Sequence, residues 1–174
     1  MSPLSLVQRA ARVGLTISAA LAFLPPLLTR LVMGEAFFLT GRGKLANFDN
    51  TVHFFTSLGI PMPELNAAFV SRLEFYGGIA LILGLLTRLV AAGLASTMVV
   101  ALLTADKQGF LDALRMSGDA GLTDVVPFVY LTFLLWLAIV GPGPLSLDAL
   151  FARWLHLRPA ATPAPGADAE PVRA

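Results

Sequence analysis

The chain has 174 residues, of which 56% are hydrophobic and 13% are charged, and its mean hydropathy is +0.77. A soluble globular domain carries about a quarter charged residues, so this composition indicates an integral membrane protein. A formal net charge of +1 and the lack of a basic run argue against nucleic acid as a partner. The absence of cysteine excludes disulfides and thiolate-bound clusters within the chain.

Four apolar stretches predict four transmembrane helices, at about 13–39, 65–86, 89–105 and 121–140. The predicted fold is therefore all-α, an integral membrane four-helix bundle. The first stretch is longer than one span needs and contains Pro25 and Pro26, which predict a kink. Arg9 and Arg12 precede it as in a signal peptide, but hydrophobic sequence continues to Leu39, so we expect an uncleaved first span.

Short helices are predicted in the loops. After the first span, four apolar residues recur at helical spacing and indicate an amphipathic helix in the membrane interface, with an irregular loop as the alternative. These residues are Leu45, Phe48, Val52 and Phe55. Further short helices are predicted at about 110–116 and 145–157. Residues 159–174 are rich in Ala, Pro and Gly, and we expect a disordered tail there.

Four spans place both termini on one side of the membrane. Lysine and arginine residues near the membrane are equal in number on the two sides, so the positive-inside rule decides little. Arg9 and Arg12 flank the first helix, which usually dominates orientation. We therefore expect residues 1–12 and the C-terminus in the cytoplasm.

Two predicted spans carry ionisable residues, which are costly in hydrocarbon and therefore indicate function. In the first span, residues at steps of four, three, four and three fall within a sector of roughly 80° on one helix face. They are Arg30, Gly34, Phe37, Gly41 and Lys44. This face is expected to look into the bundle, because glycines permit close helix approach and charges avoid lipid.

The second span repeats these steps with Glu74, Gly78, Leu81, Leu85 and Arg88. Counted from the span ends, Arg30 and Glu74 lie roughly 15 Å and 14 Å deep, which predicts an ion pair between them. Three interpretations stay open: the two charges only fix helix register, they build a ligand or proton site, or each snorkels alone.

His53 is the near-neutral titrating group on the side opposite the termini. Most charged loop residues also lie on that side, so any polar pocket should open there; the alternative is that these are simply the longer, hydrated loops. A loop histidine is more often a surface residue than a ligand. The sequence has no metal-ligand spacing, phosphate loop or nucleophile elbow, and His53 and His156 do not both lie in spans, as a membrane haem would require. We therefore predict no metal site and no intrinsic cofactor.

Several segments together resemble the DoxX family of four-helix bacterial membrane proteins. They are Arg30-Leu-Val-Met-Gly34 followed by Phe37, Gly41 and Lys44, then Ser57-Leu-Gly-Ile-Pro61, Glu74-Phe-Tyr-Gly-Gly78, Leu83-Gly-Leu-Leu-Thr-Arg88 and Gly141-Pro-Gly-Pro-Leu-Ser-Leu-Asp148. The resemblance covers roughly residues 12–150, and it implies a DoxX-like domain over 13–158 in the bacterial inner membrane. Pro25-Pro26 and the long first span have no match in the family pattern.

The resemblance implies that five charged residues of this chain match the family's pattern: Arg30, Lys44, Glu74, Arg88 and Asp148. The family takes its name from a small membrane subunit of an archaeal terminal quinol oxidase, associated with thiosulfate:quinone oxidoreduction. A structural role is predicted for Gly34, Gly41, Gly78, Arg88 and Asp148.

The leading functional hypothesis is a small subunit of a quinone-linked membrane oxidoreductase complex. A quinone head group needs hydrogen-bond donors and a proton carrier beside an apolar channel. The candidate ligand-binding residues are Arg30, Lys44, Glu74, Phe37, His53 and Tyr76, with Phe54 and Phe55 as further aromatic walls. Quinone is then the candidate ligand, and electrons come from a membrane or periplasmic protein partner.

Two other functions stay open. The chain could be a non-catalytic assembly factor, or a redox- or metal-stress factor, that docks a partner protein through its charged face. A small-solute transporter ranks last, because four spans leave little room unless the chain forms a homo-oligomer. The sequence leaves open whether the chain itself catalyses a reaction.

Overall fold

The computed structural model describes residues 3–116 and 121–155, and the regular structure in those ranges is all helical, as predicted. In chain order the α-helices are α1 (Pro3–Leu21), α2 (Leu24–Ala46), α3 (Phe48–Ser57), α4 (Pro63–Leu83), α5 (Thr87–Leu103), α6 (Lys107–Arg115), α7 (Val126–Val140) and α8 (Leu147–Trp154). A 3-10 turn, Leu122–Asp124, precedes α7.

Prolines and glycines mark the helix ends. Pro25 and Pro26 lie in the first turn of α2, and Pro63 opens α4. Proline is tolerated there because the N–H groups of a first turn have no partner within the helix. Gly84, with φ +70°, ends α4, and Gly141, with φ +93°, ends α7. Positive φ at these two positions favours glycine and turns the chain away from the helix axis.

The first helices differ from the predicted span 13–39. That range covers parts of α1 and α2, which are separated at residues 22–23, and α2 continues to Ala46. The predicted span ends at Leu39 because charged residues follow the apolar stretch. Helix α2 nevertheless continues and carries Arg42 and Lys44 on its last turns. Short helices occur in the three predicted loop regions, as α3, α6 and α8. The predicted disordered tail, 159–174, lies outside the described residues.

Helices α2, α4, α5 and α7 pack around one apolar core. Helix α2 lies along α4, α5 lies along α7, and α3 packs on α4. The buried core residues include Met33, Phe37, Leu81, Leu94, Leu134 and Leu137. In contrast, residues 11–21 of α1 are all exposed.

The contact between α2 and α4 is backbone against backbone. A Cβ atom added at Gly34 would lie 2.6 Å from Ile82 Cγ1 and 2.8 Å from the carbonyl oxygen of Gly78. One added at Gly41 would overlap the backbone of Phe75. Because a side chain at these positions would force the helices apart, the glycines set the separation of α2 and α4.

Length and composition identify fewer membrane crossings than the sequence predicts. Within the described residues, the stretch Ala11–Ala46 is long and apolar enough to cross a membrane. Helices α5 and α6 qualify only when taken together across a bend of 80°, and α7 is a shorter apolar helix. One helix therefore qualifies, or two with the bent pair, where the sequence predicts four.

Gly41→Ala is expected to lower the thermal midpoint of the detergent-solubilised protein. Overpacking a close contact costs about 1–3 kcal/mol. The matched control is Gly43→Ala in the same helix, where nothing lies within 4 Å of the added Cβ and alanine favours the helix by about 1 kcal/mol. Circular dichroism on heating measures both variants. Equal midpoints for the two would contradict the backbone contact.

Candidate functional site

The centre of the candidate site is an ion pair between Lys44 and Glu74. The Nζ of Lys44 donates to both carboxylate oxygens, at 2.6 Å to Oε1 and 2.7 Å to Oε2. The Glu74 side chain is 2% exposed and that of Lys44 is 31% exposed. A buried carboxylate is costly unless it is paired and hydrogen-bonded. Lys44 provides Glu74 with both an opposite charge and two hydrogen bonds inside the bundle.

The close packing of α2 on α4 brings these two side chains together. The helices are antiparallel, with Gly41 against the backbone of Glu74 and Phe75. Lys44 follows Gly41 by nearly one turn. Helical side chains lean toward their own N-terminus, so Glu74 leans toward the end of the bundle where α2 finishes, while Lys44 leans back toward Gly41. The two charged groups therefore meet beside the glycine contact.

A cavity of about 230 Å³ opens beside the ion pair, between α3, α4 and α5. Lys44 and Glu74 line it, and Phe54, Phe55 and Phe69 contribute aromatic walls. A mostly apolar pocket with a few convergent polar groups is typical of a small-molecule site. Pockets for drug-sized ligands measure roughly 300–1,000 Å³, so this one has room for a single ring-sized group.

Helix α5 contributes polar atoms that the sequence analysis did not single out. Ser96 and Thr97 on α5, and Thr104 directly after its end, line the cavity. Each hydroxyl donates to a carbonyl oxygen earlier in α5, at 2.6–2.7 Å, which leaves the hydroxyl oxygen able to accept. The signal was present in the sequence as three hydroxyl residues within an otherwise apolar predicted span.

The predicted ion pair between Arg30 and Glu74 is wrong. The Nη2 of Arg30 donates instead to the carbonyl oxygen of Leu145, at 2.5 Å, and its guanidinium lies against Gly84. Arg30 comes 14 residues before Lys44, a distance of about 21 Å along the helix. Glu74 lies at the level of Gly41, so Arg30 is too far away to reach it.

The structure does not bring the other three predicted ligand residues to the cavity. Phe37 is buried in the core and packs on Tyr130, with 5.7 Å between ring centroids. His53 is exposed on α3. Tyr76 is 63% exposed and meets Phe75 edge-on at 5.1 Å. A ligand role for these three residues stays a prediction without a contact in the described cavity to support it.

A second polar cluster lies at the opposite end of the bundle. The carboxylate of Asp148 accepts from the backbone N–H groups of Leu86, at 2.7 Å, and Thr87, at 2.8 Å. The N–H of Asp148 donates to the carbonyl oxygen of Gly84 at 2.9 Å. These bonds tie the start of α8 to the α4–α5 turn and cap the N-terminus of α5. Next to them lies Arg30, 1% exposed, whose Nε and Nη1 have no hydrogen-bond partner within the described residues.

Apolar side chains on the outside and charged groups inside define a helical membrane protein. The family model named DoxX matches residues 26–107. The chain belongs to the DoxX family, which confirms the resemblance in its sequence. No solved structure matches the chain.

Three relatives carry the comparison further. "Inner membrane protein YphA" of Escherichia coli (strain K12) is 34% identical over 128 residues, which are 70% of this chain and 86% of that protein. "Inner membrane protein YqjF" of the same organism is 33% identical over 132 residues, or 71% and 89%. "Putative oxidoreductase CatD" of Bacillus subtilis (strain 168) is 35% identical over 78 residues, 45% of this chain. The last match spans 57% of CatD.

Lys44→Met is expected to destabilise the protein more than Glu74→Gln does. The first change leaves a carboxylate that is 2% exposed without its partner, and breaking a buried pair in this way costs about 3–5 kcal/mol. The second leaves the partly exposed Lys44, whose ammonium group can turn toward water. Thermal midpoints in one detergent measure both, and the double variant should recover part of the loss. A midpoint for Glu74→Gln at or below that of Lys44→Met would contradict this asymmetry.

Proposed function

We propose that the chain is a multi-pass protein of the bacterial inner membrane, with α2, α4, α5 and α7 as its four spans. Large apolar side chains such as Val32, Leu89 and Ile139 are exposed on these helices, whereas Arg30 and Glu74 are buried between them. Lipid solvates an apolar surface of this kind, and water does not. YphA and YqjF, named as inner membrane proteins, support the same placement.

The short helices and the termini complete this arrangement. In the proposal, α3, α6 and α8 lie at the membrane interfaces, where amphipathic helices bury one face in lipid. Both termini lie on the cytoplasmic side, with Arg12 directly before the first long apolar stretch of the chain. The Lys44–Glu74 pair then belongs to the half of the bundle away from the cytoplasm.

Within this bundle, we propose a role as a small subunit of a quinone-linked oxidoreductase complex, with the head group bound in the cavity beside Lys44 and Glu74. The observation that carries this proposal is a buried carboxylate–ammonium pair that lines a mostly apolar cavity. A quinone carbonyl oxygen accepts hydrogen bonds, which Lys44 Nζ can donate. The rings of Phe54 and Phe55 offer apolar surface to the quinone ring.

Reduction of a quinone to a quinol adds two electrons and two protons, and its oxidation releases them. Glu74 is the group in the cavity that can exchange protons with the quinone oxygen, and Lys44 balances its charge. The electrons are assigned to a partner protein, because the chain has no cysteine and its described residues form no cluster of three or more His, Cys, Asp or Glu residues. The word oxidoreductase in the name of CatD agrees with this class of reaction.

Glu74→Gln is expected to weaken the binding of a short-chain ubiquinone by about tenfold, because it removes the charge that orients the Lys44 ammonium group. Glu64→Gln is the matched control, since Glu64 is on the same helix but exposed and outside the cavity. Titration of each purified variant in detergent, followed by saturation-transfer NMR, gives the two affinities.

Three outcomes of this titration bear on whether a quinone binds beside Lys44 and Glu74. Tight binding to wild type and Glu64→Gln with loss in Glu74→Gln supports the site. Equal binding to all three proteins places the quinone elsewhere, and no binding to wild type removes the proposal. Thermal midpoints measured in parallel show whether a loss comes from unfolding.

A second candidate function is a non-catalytic assembly factor, and helix α1 is the observation that favours it. Residues 11–21 are exposed, including the apolar Val13, Leu15 and Ile17, so this stretch has a surface that no bundle helix covers. An apolar segment of a partner protein could pack there. In this reading the Lys44–Glu74 pair only holds α2 and α4 in register.

A photo-crosslinking amino acid placed at Leu15 is expected to capture a partner protein in native membranes if the chain is an assembly factor. The same amino acid at Ile139, which is exposed on α7, serves as the lipid-facing control. Gel shifts and peptide mass spectrometry identify the adducts. Lipid adducts alone at both positions would contradict docking through α1.

A further inference from the structure

A cleft of about 670 Å³ lies at the end of the bundle away from the Lys44–Glu74 pair. It is bounded by the start of α5, the segment after α7 and one side of α8. Two guanidinium groups, those of Arg88 and Arg153, line this cleft, and Asp148 is its one acidic lining residue. The proposed quinone site does not use any of these residues.

The arginines retain most of their hydrogen-bonding capacity. Arg88 donates through Nη2 to the carbonyl oxygen of Val140, at 3.3 Å, and has further N–H groups. Arg153 lies exposed in the last turn of α8 and forms no ion pair with another described residue. Both carboxylate oxygens of Asp148 accept from the backbone N–H groups of Leu86 and Thr87. The cleft therefore presents two cations whose charge is not cancelled by direct pairing with Asp148.

Apolar side chains adjoin these cations. Leu86 is 59% exposed and Leu89 is 71% exposed, and both line the cleft on the side of α5. From there α5 continues into the bundle. A ligand that fits must present an anionic group to the arginines and a hydrocarbon chain to the leucines at the same time.

We propose that this cleft binds an anionic phospholipid, with its phosphate on Arg88 and Arg153 and an acyl chain along Leu86 and Leu89. Guanidinium groups recognise phosphate through paired N–H donors. Basic pockets between helices on the cytoplasmic side of a membrane bind anionic lipid head groups. The proposal rests on the membrane placement given above and is independent of the quinone site.

The test compares two double variants, each of which removes two positive charges, at opposite ends of the bundle. Arg88→Gln/Arg153→Gln alters the cleft, and Arg42→Gln/Arg115→Gln removes two exposed arginines elsewhere. Each purified protein is titrated with dioleoyl-phosphatidylglycerol and, separately, with dioleoyl-phosphatidylcholine, and bound lipid is counted by native mass spectrometry. One arginine near an anionic lipid surface contributes about fivefold in affinity, so the cleft variant should bind phosphatidylglycerol about 25-fold less tightly.

Selective loss of phosphatidylglycerol in the cleft variant, with the control variant unchanged, supports the proposal. Equal affinities for the two lipids in wild type, or equal losses in the two double variants, overturn it. If the Arg88→Gln/Arg153→Gln variant does not fold, the single variant Arg153→Gln tests the proposal instead, because no other described residue pairs with the Arg153 side chain. Wild-type affinity of Arg153→Gln for phosphatidylglycerol would then overturn the proposal. Quinone binding should be unaffected in every variant, so failure here leaves the proposed redox site untouched.

Discussion

Direct backbone contact between α2 and α4 fixes the depth of every charged group between them. Gly34 and Gly41 on one helix and Gly78 on the other leave no space for a Cβ atom, so neither helix can slide or rotate without a clash. This register brings Lys44 to Glu74 and sends Arg30 to the turn after α4. A different register would leave a buried carboxylate without its cation, which is among the largest single costs a fold can meet.

The two ends of the bundle treat buried charge differently. At one end, Glu74 and Lys44 neutralise each other at the edge of a cavity, where a bound molecule could compete for either group. At the other end, the neighbour that Arg30 contacts is a backbone carbonyl, and Asp148 is engaged by backbone N–H groups. Side-chain pairs can exchange partners or protons, whereas backbone groups cannot leave. The first end therefore keeps an ion pair at the edge of a cavity, and the second ties α2 and the start of α8 to the end of α4.

Much of this architecture could be predicted from the sequence, because helix periodicity places residues on faces reliably. The face that runs through Arg30, Gly34, Gly41 and Lys44 does lie on α4. The sequence could not predict which cation pairs with Glu74, because the depth of a residue in the membrane can only be counted from the ends of a hydrophobic stretch, and these are not the ends of the helix. Helix α2 continues past its apolar part to Ala46, which moves Lys44 rather than Arg30 opposite Glu74. Ser96 and Thr97 were also missed from the sequence, because hydroxyl residues that bond to their own helix are common in apolar helices and do not by themselves indicate a cavity.

The bond between Arg30 and Leu145 joins residues 115 positions apart in the chain. Ribosomes add about 5–20 residues per second, so Arg30 is made on the order of 10 s before its acceptor. During that interval a nascent chain entering the membrane holds a guanidinium that has no acceptor in the finished position. Arg30 can therefore reach this acceptor only after the segment that follows α7 has been made, so the burial of its guanidinium waits for the C-terminal part of the bundle.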